Sequence, residues 1–142
     1  MLHFLDLLGS SLVVPEAVAD EVQRKGANDP AALALESSNL TIVDALAIPA
    51  AVDAWDLGAG ESAVLAYALA QPRAIALLDD MGARRCAAAV GVQFTGTAGL
   101  VLAAKRRGLI EVVEPVFRSL IDVGMYLSKP TLQQLLRKAG EL

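Results

Sequence analysis

The chain has 142 residues, of which 55% are hydrophobic, and a formal net charge of -4. This length predicts one domain, residues 1–142, with a well-buried core, and the acidity argues against a protein that coats nucleic acid non-specifically. A single cysteine, Cys86, and a single histidine, His3, are too few for a disulfide, a protein-only zinc site or a cysteine–histidine nucleophile pair.

The sequence indicates a protein of the cytoplasm with no membrane segment. No apolar run approaches the ~18 residues that a membrane span needs, since Ala63 to Ala70 stops at Gln71 and Pro72. The residues from Met1 to Asp6 lack the cationic region that opens a signal peptide. A lone cysteine matches a reducing compartment.

The first part of the chain predicts short elements separated by turn residues. Leu12 to Val14 form a β-prone run, and Pro15 then suits the first turn of a helix that carries Glu21. The other elements predicted there are the end of a helix at Met1 to Leu8, a short helix from Pro30 to Glu36, a strand at Leu40 to Val43, and a loop with a helical turn from Asp44 to Asp56.

The second part predicts strands that alternate with helices. Gly58 to Gln71 is the clearest helix, and Ala74 to Leu78 is a continuous apolar run typical of a buried parallel strand. They are followed by a helix at Met81 to Val90, a strand at Val92 to Phe94, and helices at Thr97 to Arg107, Glu114 to Val123 and Pro130 to Ala139. This alternation predicts an α/β fold with a parallel, doubly wound sheet.

Acidic residues stand at the ends of the predicted elements. Asp79 and Asp80 directly follow the buried strand, at the edge of a parallel sheet where ligands bind. Adjacent carboxylates repel unless a cation or hydrogen-bond donors compensate, and Mg²⁺ accepts such oxygens. Alternatively, Asp80 caps the next helix and Asp79 faces solvent. The residues leave both interpretations open.

Two glutamates admit ordinary structural roles as well. Glu61 stands in the first turn of its helix, behind Gly58 and Gly60, where a carboxylate interacts favourably with the helix dipole. The glycines allow close approach of backbone to a ligand, although this pattern is weak by itself. Glu21, taken alone, predicts an ordinary solvated side chain.

Several cations and hydroxyls are candidates for phosphate contact. Arg84 and Arg85 lie about one helical turn after the aspartates, and Thr95 and Thr97 flank Gly96 at a strand-to-helix turn as possible caps or phosphate donors. Residues 105–107 fan around a helix by ~100° each and predict a solvated helix end.

These motifs, in their order, resemble PIN-like domains of a little-characterised prokaryotic branch related to VapC-type toxin ribonucleases. The resemblance covers nearly the whole chain, and the matching stretches are Val13 to Val22, Gly60 to Ala63, Leu78 to Asp80, Ala83-Arg84, Gly96-Thr97, Ala104-Lys105 and Ala139 to Glu141. It implies a three-layer α/β/α fold with a small parallel sheet. It also implies a metal-dependent nuclease in which Mg²⁺ or Mn²⁺ activates water for attack on RNA.

Carried onto this sequence, the resemblance assigns the catalytic and metal-binding acids to Glu21, Glu61 and Asp79 or Asp80. It also suggests a homodimer and a small antitoxin as partner, and the apolar composition and acidic site suit an antitoxin tail with an arginine and an apolar helix. The family begins with a strand that ends in an aspartate, and this chain starts inside the helix that follows. We therefore expect an N-terminally truncated PIN-like domain without the first strand and its aspartate.

Two functions follow from these observations. The first is a ribonuclease that acts as the toxin of a toxin–antitoxin pair. The second is a catalytically degenerate module that binds nucleic acid or protein. A phosphoacceptor receiver domain fits less well, because Asp79 and Asp80 follow a late strand whereas receivers place their acid pair after the first strand.

Overall fold

The computed structural model describes residues 12–26 and 40–142. The helices predicted at Met1 to Leu8 and Pro30 to Glu36 fall outside these ranges. The described strands are β1 (Leu12–Pro15), β2 (Leu40–Val43), β3 (Ala76–Leu77) and β4 (Phe94–Thr95). The described helices are α1 (Glu16–Arg24), α2 (Ala50–Asp53), α3 (Ala59–Ala70), α4 (Met81–Val90), α5 (Thr97–Arg106), α6 (Glu114–Asp122) and α7 (Lys129–Lys138).

The chain divides into two compact units, residues 1–95 and residues 96–142. In the first unit α3 is the central element, because it contacts α1, α2, α4, β1 and β3. Its Ala- and Leu-rich sequence favours a helix and buries Leu65 completely. The core around it consists of Val52, Leu65, Ala68, Ala76, Leu78, Ala83, Cys86, Ala87 and Val92.

All the described strands pair in parallel, which confirms the predicted mixed α/β fold. They form two two-stranded sheets, β1 with β2 and β3 with β4. In the second sheet the backbone N–H groups of Ala76 and Leu78 donate to Gln93 and Thr95 at 2.9 Å. Because peptide groups alternate in direction along a strand, those of Leu77 point away from β4. The Leu77 side chain is 40% exposed and that of Ile75 is 62% exposed.

The strands of this sheet are shorter than the apolar runs that predicted them. Ala74 donates its N–H to Gln71 at 2.9 Å, so it belongs to the turn that ends α3. The N–H of Val92 donates to the carbonyl oxygen of Ala87 at 2.9 Å, and the preceding residue, Gly91, has a left-handed backbone with a φ of 79°. This arrangement ends α4, so β4 begins only at Phe94.

The second unit contains α5, α6 and α7, close to their predicted bounds, and α5 packs against α7. Glu141 accepts hydrogen bonds from the end of α5 and the start of α6. Its Oε1 accepts hydrogen bonds from Val113 N at 2.7 Å and Lys105 Nζ at 3.1 Å, and its Oε2 accepts from Glu114 N at 3.1 Å. These donors, above all the Val113 N–H, hold the pKa of Glu141 below its ordinary value. Among the described helices none is both long and apolar enough to cross a membrane.

Candidate nuclease site

Glu21 reaches from α1 to the amino terminus of α3. Its Oε1 accepts a hydrogen bond from the backbone N–H of Gly60 at 2.9 Å, across 39 residues of sequence. Gly60 is the second residue of α3, so this N–H has no partner within the helix. Glu21 is half-buried, and this contact differs from the solvated side chain that its sequence position predicts.

The two glycines of the Gly58-Ala59-Gly60-Glu61 stretch make room for two carboxylates. A Cβ on Gly60 would lie 2.7 Å from Oε2 of Glu21, and a Cβ on Gly58 would collide with Oε2 of Glu61. The glycines therefore accommodate side chains of the chain itself, a role that sequence reasoning missed. The signal was the spacing, which puts Glu61 three residues after Gly58 in the same helical turn.

Asp80 caps α4. It occupies the N-cap position with extended backbone, and its Oδ2 accepts a hydrogen bond from Ala83 N at 2.9 Å. This geometry confirms the capping role that was one of the two interpretations of the sequence. One oxygen of this carboxylate therefore already has a donor from the protein.

Arg84 folds back onto the end of β3. Its Nε donates to the carbonyl oxygen of Leu78 at 2.8 Å, and its Nη2 lies 3.4 Å from Oδ1 of Asp79. The guanidinium therefore holds the strand end and the first aspartate together. Arg85, the other predicted phosphate contact, is exposed on α4.

The two threonines occupy different units. Thr95 ends β4 in register with Leu77, and its carbonyl oxygen accepts from Leu78 N at 2.9 Å. Thr97 is the first residue of α5, and the N-cap position belongs to Gly96, so Thr97 is not the cap that the sequence suggested.

The structure places the predicted acids at the start of α3 and at the end of β3. Glu21 reaches the turn that carries Glu61, and Asp79 and Asp80 follow β3, which packs against α3. Carboxylate oxygens are the ligands that Mg²⁺ and Mn²⁺ prefer. Across residues 12–26 and 40–142, however, no three His, Cys, Asp or Glu side chains are grouped so that they could hold a metal ion. The described carboxylates alone thus do not make a complete metal site.

The parallel strands and the order of the acids agree with the family resemblance. A protein-family model described as a PIN domain matches residues 1–141. The chain therefore belongs to the PIN domain family, whose members are generally nucleases that depend on divalent metal ions. Comparisons with curated proteins and with solved structures gave no match.

Proposed function

We propose that the chain is a PIN-type endoribonuclease that depends on Mg²⁺ or Mn²⁺, with Glu21, Glu61, Asp79 and Asp80 as its acidic residues. The observation that supports this most directly is the hydrogen bond from Gly60 N to Glu21, which fixes one acid beside the turn of another. A solvated glutamate would not need this contact or the glycine that permits it. Family membership supplies the chemical class.

The chain's own residues would position the acids. Gly58 and Gly60 leave space for the Glu61 and Glu21 carboxylates, and Arg84 holds Asp79 at the end of β3. A divalent cation, when bound, would polarise a phosphodiester and lower the pKa of bound water. Arg85 and Thr95 are the side chains of this unit that we propose for contact with phosphate.

The test is cleavage of a labelled RNA by the purified chain with Mg²⁺, with Mn²⁺ or with EDTA. Glu61→Gln and Asp79→Asn should each lower the rate about a hundredfold or more, because each removes a carboxylate that would bind the divalent cation. Asp53→Asn, which changes an exposed acid on α2, is the matched control and should retain full activity. Equal cleavage by all three variants would identify the activity as a contaminant.

A second candidate is a binding module that has kept the PIN fold without the chemistry. It is favoured by the donors that already engage Asp80 and Asp79, and by the finding that no three metal-ligating side chains are grouped in the described residues. It predicts no metal-dependent cleavage and little change of Tm when EDTA is added. A large fall of Tm in EDTA would exclude it, because a metal bound to the native state stabilises that state.

We further propose a cytoplasmic toxin that a small antitoxin neutralises, and a homodimer. Exposed apolar side chains such as Val123 (73%) and Tyr126 (88%) suit a protein partner. Expression of the chain should then arrest growth, and co-expression of the antitoxin should relieve the arrest. Light scattering of the purified chain tests the dimer.

A further inference from the structure

Charge is distributed very unevenly along this acidic chain. Residues 1–95 contain five Lys or Arg and twelve Asp or Glu, a formal net charge of -7. Residues 96–142 contain seven Lys or Arg and four Asp or Glu, a formal net charge of +3. The total of -4 therefore conceals a basic unit, and the argument from overall acidity against a protein that coats nucleic acid does not apply to that unit.

The fold concentrates part of this positive charge at one end of the second unit. The ion pair of Lys105 with Glu141, at 3.1 Å, brings the last turn of α5 next to the end of α7. Exposed cationic side chains there include Arg106 on α5 and Arg137 and Lys138 on α7. We call these three residues the basic end.

Of the four acids in residues 96–142, two already have cationic partners. Glu141 is already engaged by Lys105 and by the backbone N–H groups of Val113 and Glu114. Glu114 pairs with Arg118 on its own helix. Asp122 closes α6, and Glu111 is exposed in the segment after α5, where its carbonyl oxygen accepts a hydrogen bond from Lys105.

Helix dipoles account for some of these cations but not for their grouping. A Lys or Arg in the last turn offsets the partial negative charge of a helix end, and this effect fades within a turn. The dipole of each helix would favour its own cations equally well if α5 and α7 ended far apart. Two helix ends that meet side by side with three exposed cations present more positive charge than either dipole requires.

We propose that the basic end binds the phosphodiester backbone of RNA, the substrate class on which the proposed function rests. Exposed Arg and Lys contact phosphates without reading sequence, and they release counterions when they do so. Arg106 and Arg137 add forked donors that match phosphate oxygens in pairs. The surface would thus hold the polyanion, whereas the acids of residues 1–95 carry the proposed chemistry.

The experiment measures binding of a fluorescent single-stranded RNA of about 20 nucleotides by anisotropy, in EDTA so that cleavage plays no part. The triple variant R106Q/R137Q/K138Q removes the basic end. The control triple variant K25Q/R73Q/K129Q removes the same charge from exposed positions elsewhere. Circular dichroism and thermal melting of both variants check that they fold.

The first triple variant should bind RNA up to about a hundredfold more weakly at about 0.1 M salt. Its binding should also depend less on salt, with a slope of log K against log salt that is less negative by about 2. The control should change little. Equal weakening by both variants, or wild-type protein that fails to bind RNA, would overturn the proposal. Binding that depends on the basic end in a protein that never cleaves RNA would support this inference and refute only the proposed nuclease activity.

Discussion

Gly60→Ala tests whether Glu21 has a fixed place at the start of α3. The new Cβ would lie 2.7 Å from Oε2 of Glu21, so the carboxylate must shift, and we expect this shift to break its hydrogen bond with Gly60 N. A hydrogen bond to a charged acceptor contributes about 1.5–3 kcal/mol. Replacement of a helical glycine by alanine raises the free energy of unfolding by up to about 1 kcal/mol, because alanine has the higher helix propensity. We expect a net destabilisation of about 1 kcal/mol, measured by urea unfolding.

The decisive comparison is the same substitution in a Glu21→Ala background. There the carboxylate is already absent, so only the gain in helix propensity remains, and Gly60→Ala should stabilise by up to about 1 kcal/mol. The sign of the effect therefore reverses between the two backgrounds. Glu16→Ala, an exposed acid on the same helix as Glu21, is the control background and should leave the effect of Gly60→Ala unchanged. Equal destabilisation in all three backgrounds would refute the proposed contact.

Three further predictions concern single side chains. Asp80→Ala should destabilise by about 1 kcal/mol in urea unfolding because α4 loses its cap, and Asp80→Asn should keep most of that stability; a loss confined to metal binding would contradict the capping role. Arg84→Met should lower the free energy of unfolding by about 1 kcal/mol, mainly because the hydrogen bond to Leu78 is lost, since the ion pair with Asp79 is exposed. Arg85→Met should lower it by less than about half as much. The lowered pKa of Glu141 contributes stability that is present above its ordinary value of 4.5 and is lost as pH falls through the folded-state pKa. The difference in free energy of unfolding between wild type and Glu141→Gln should therefore shrink when urea unfolding is repeated below pH 4.5.

Local composition was enough to predict the described helices and the order of the described elements. The Ala- and Leu-rich run before Pro72 predicted α3, and the apolar residues before Asp79 predicted β3. The cap at Asp80 was one of two interpretations because it depends on a contact only three residues away. Such features are local, so the sequence carries their signals directly.

Contacts between distant residues could not be predicted in the same way. The partner of Glu21 lies 39 residues ahead, and no periodicity links a glutamate on one helix to a glycine on another. Glu141 binds Val113 and Lys105, which precede it by 28 and 36 residues, and nothing near it in sequence marks that role. The start of β4 was missed for a local reason, because the turn at Gly91 uses Val92 to close α4.

The exposed side of β3 has a consequence for handling the protein. Ile75 and Leu77 present apolar side chains to solvent, and the peptide groups of Leu77 point away from β4. Apolar side chains exposed at neighbouring positions favour association between chains, and a lysine on the strand discourages it. Concentrated solutions should therefore aggregate, and Leu77→Lys should raise the concentration at which turbidity begins.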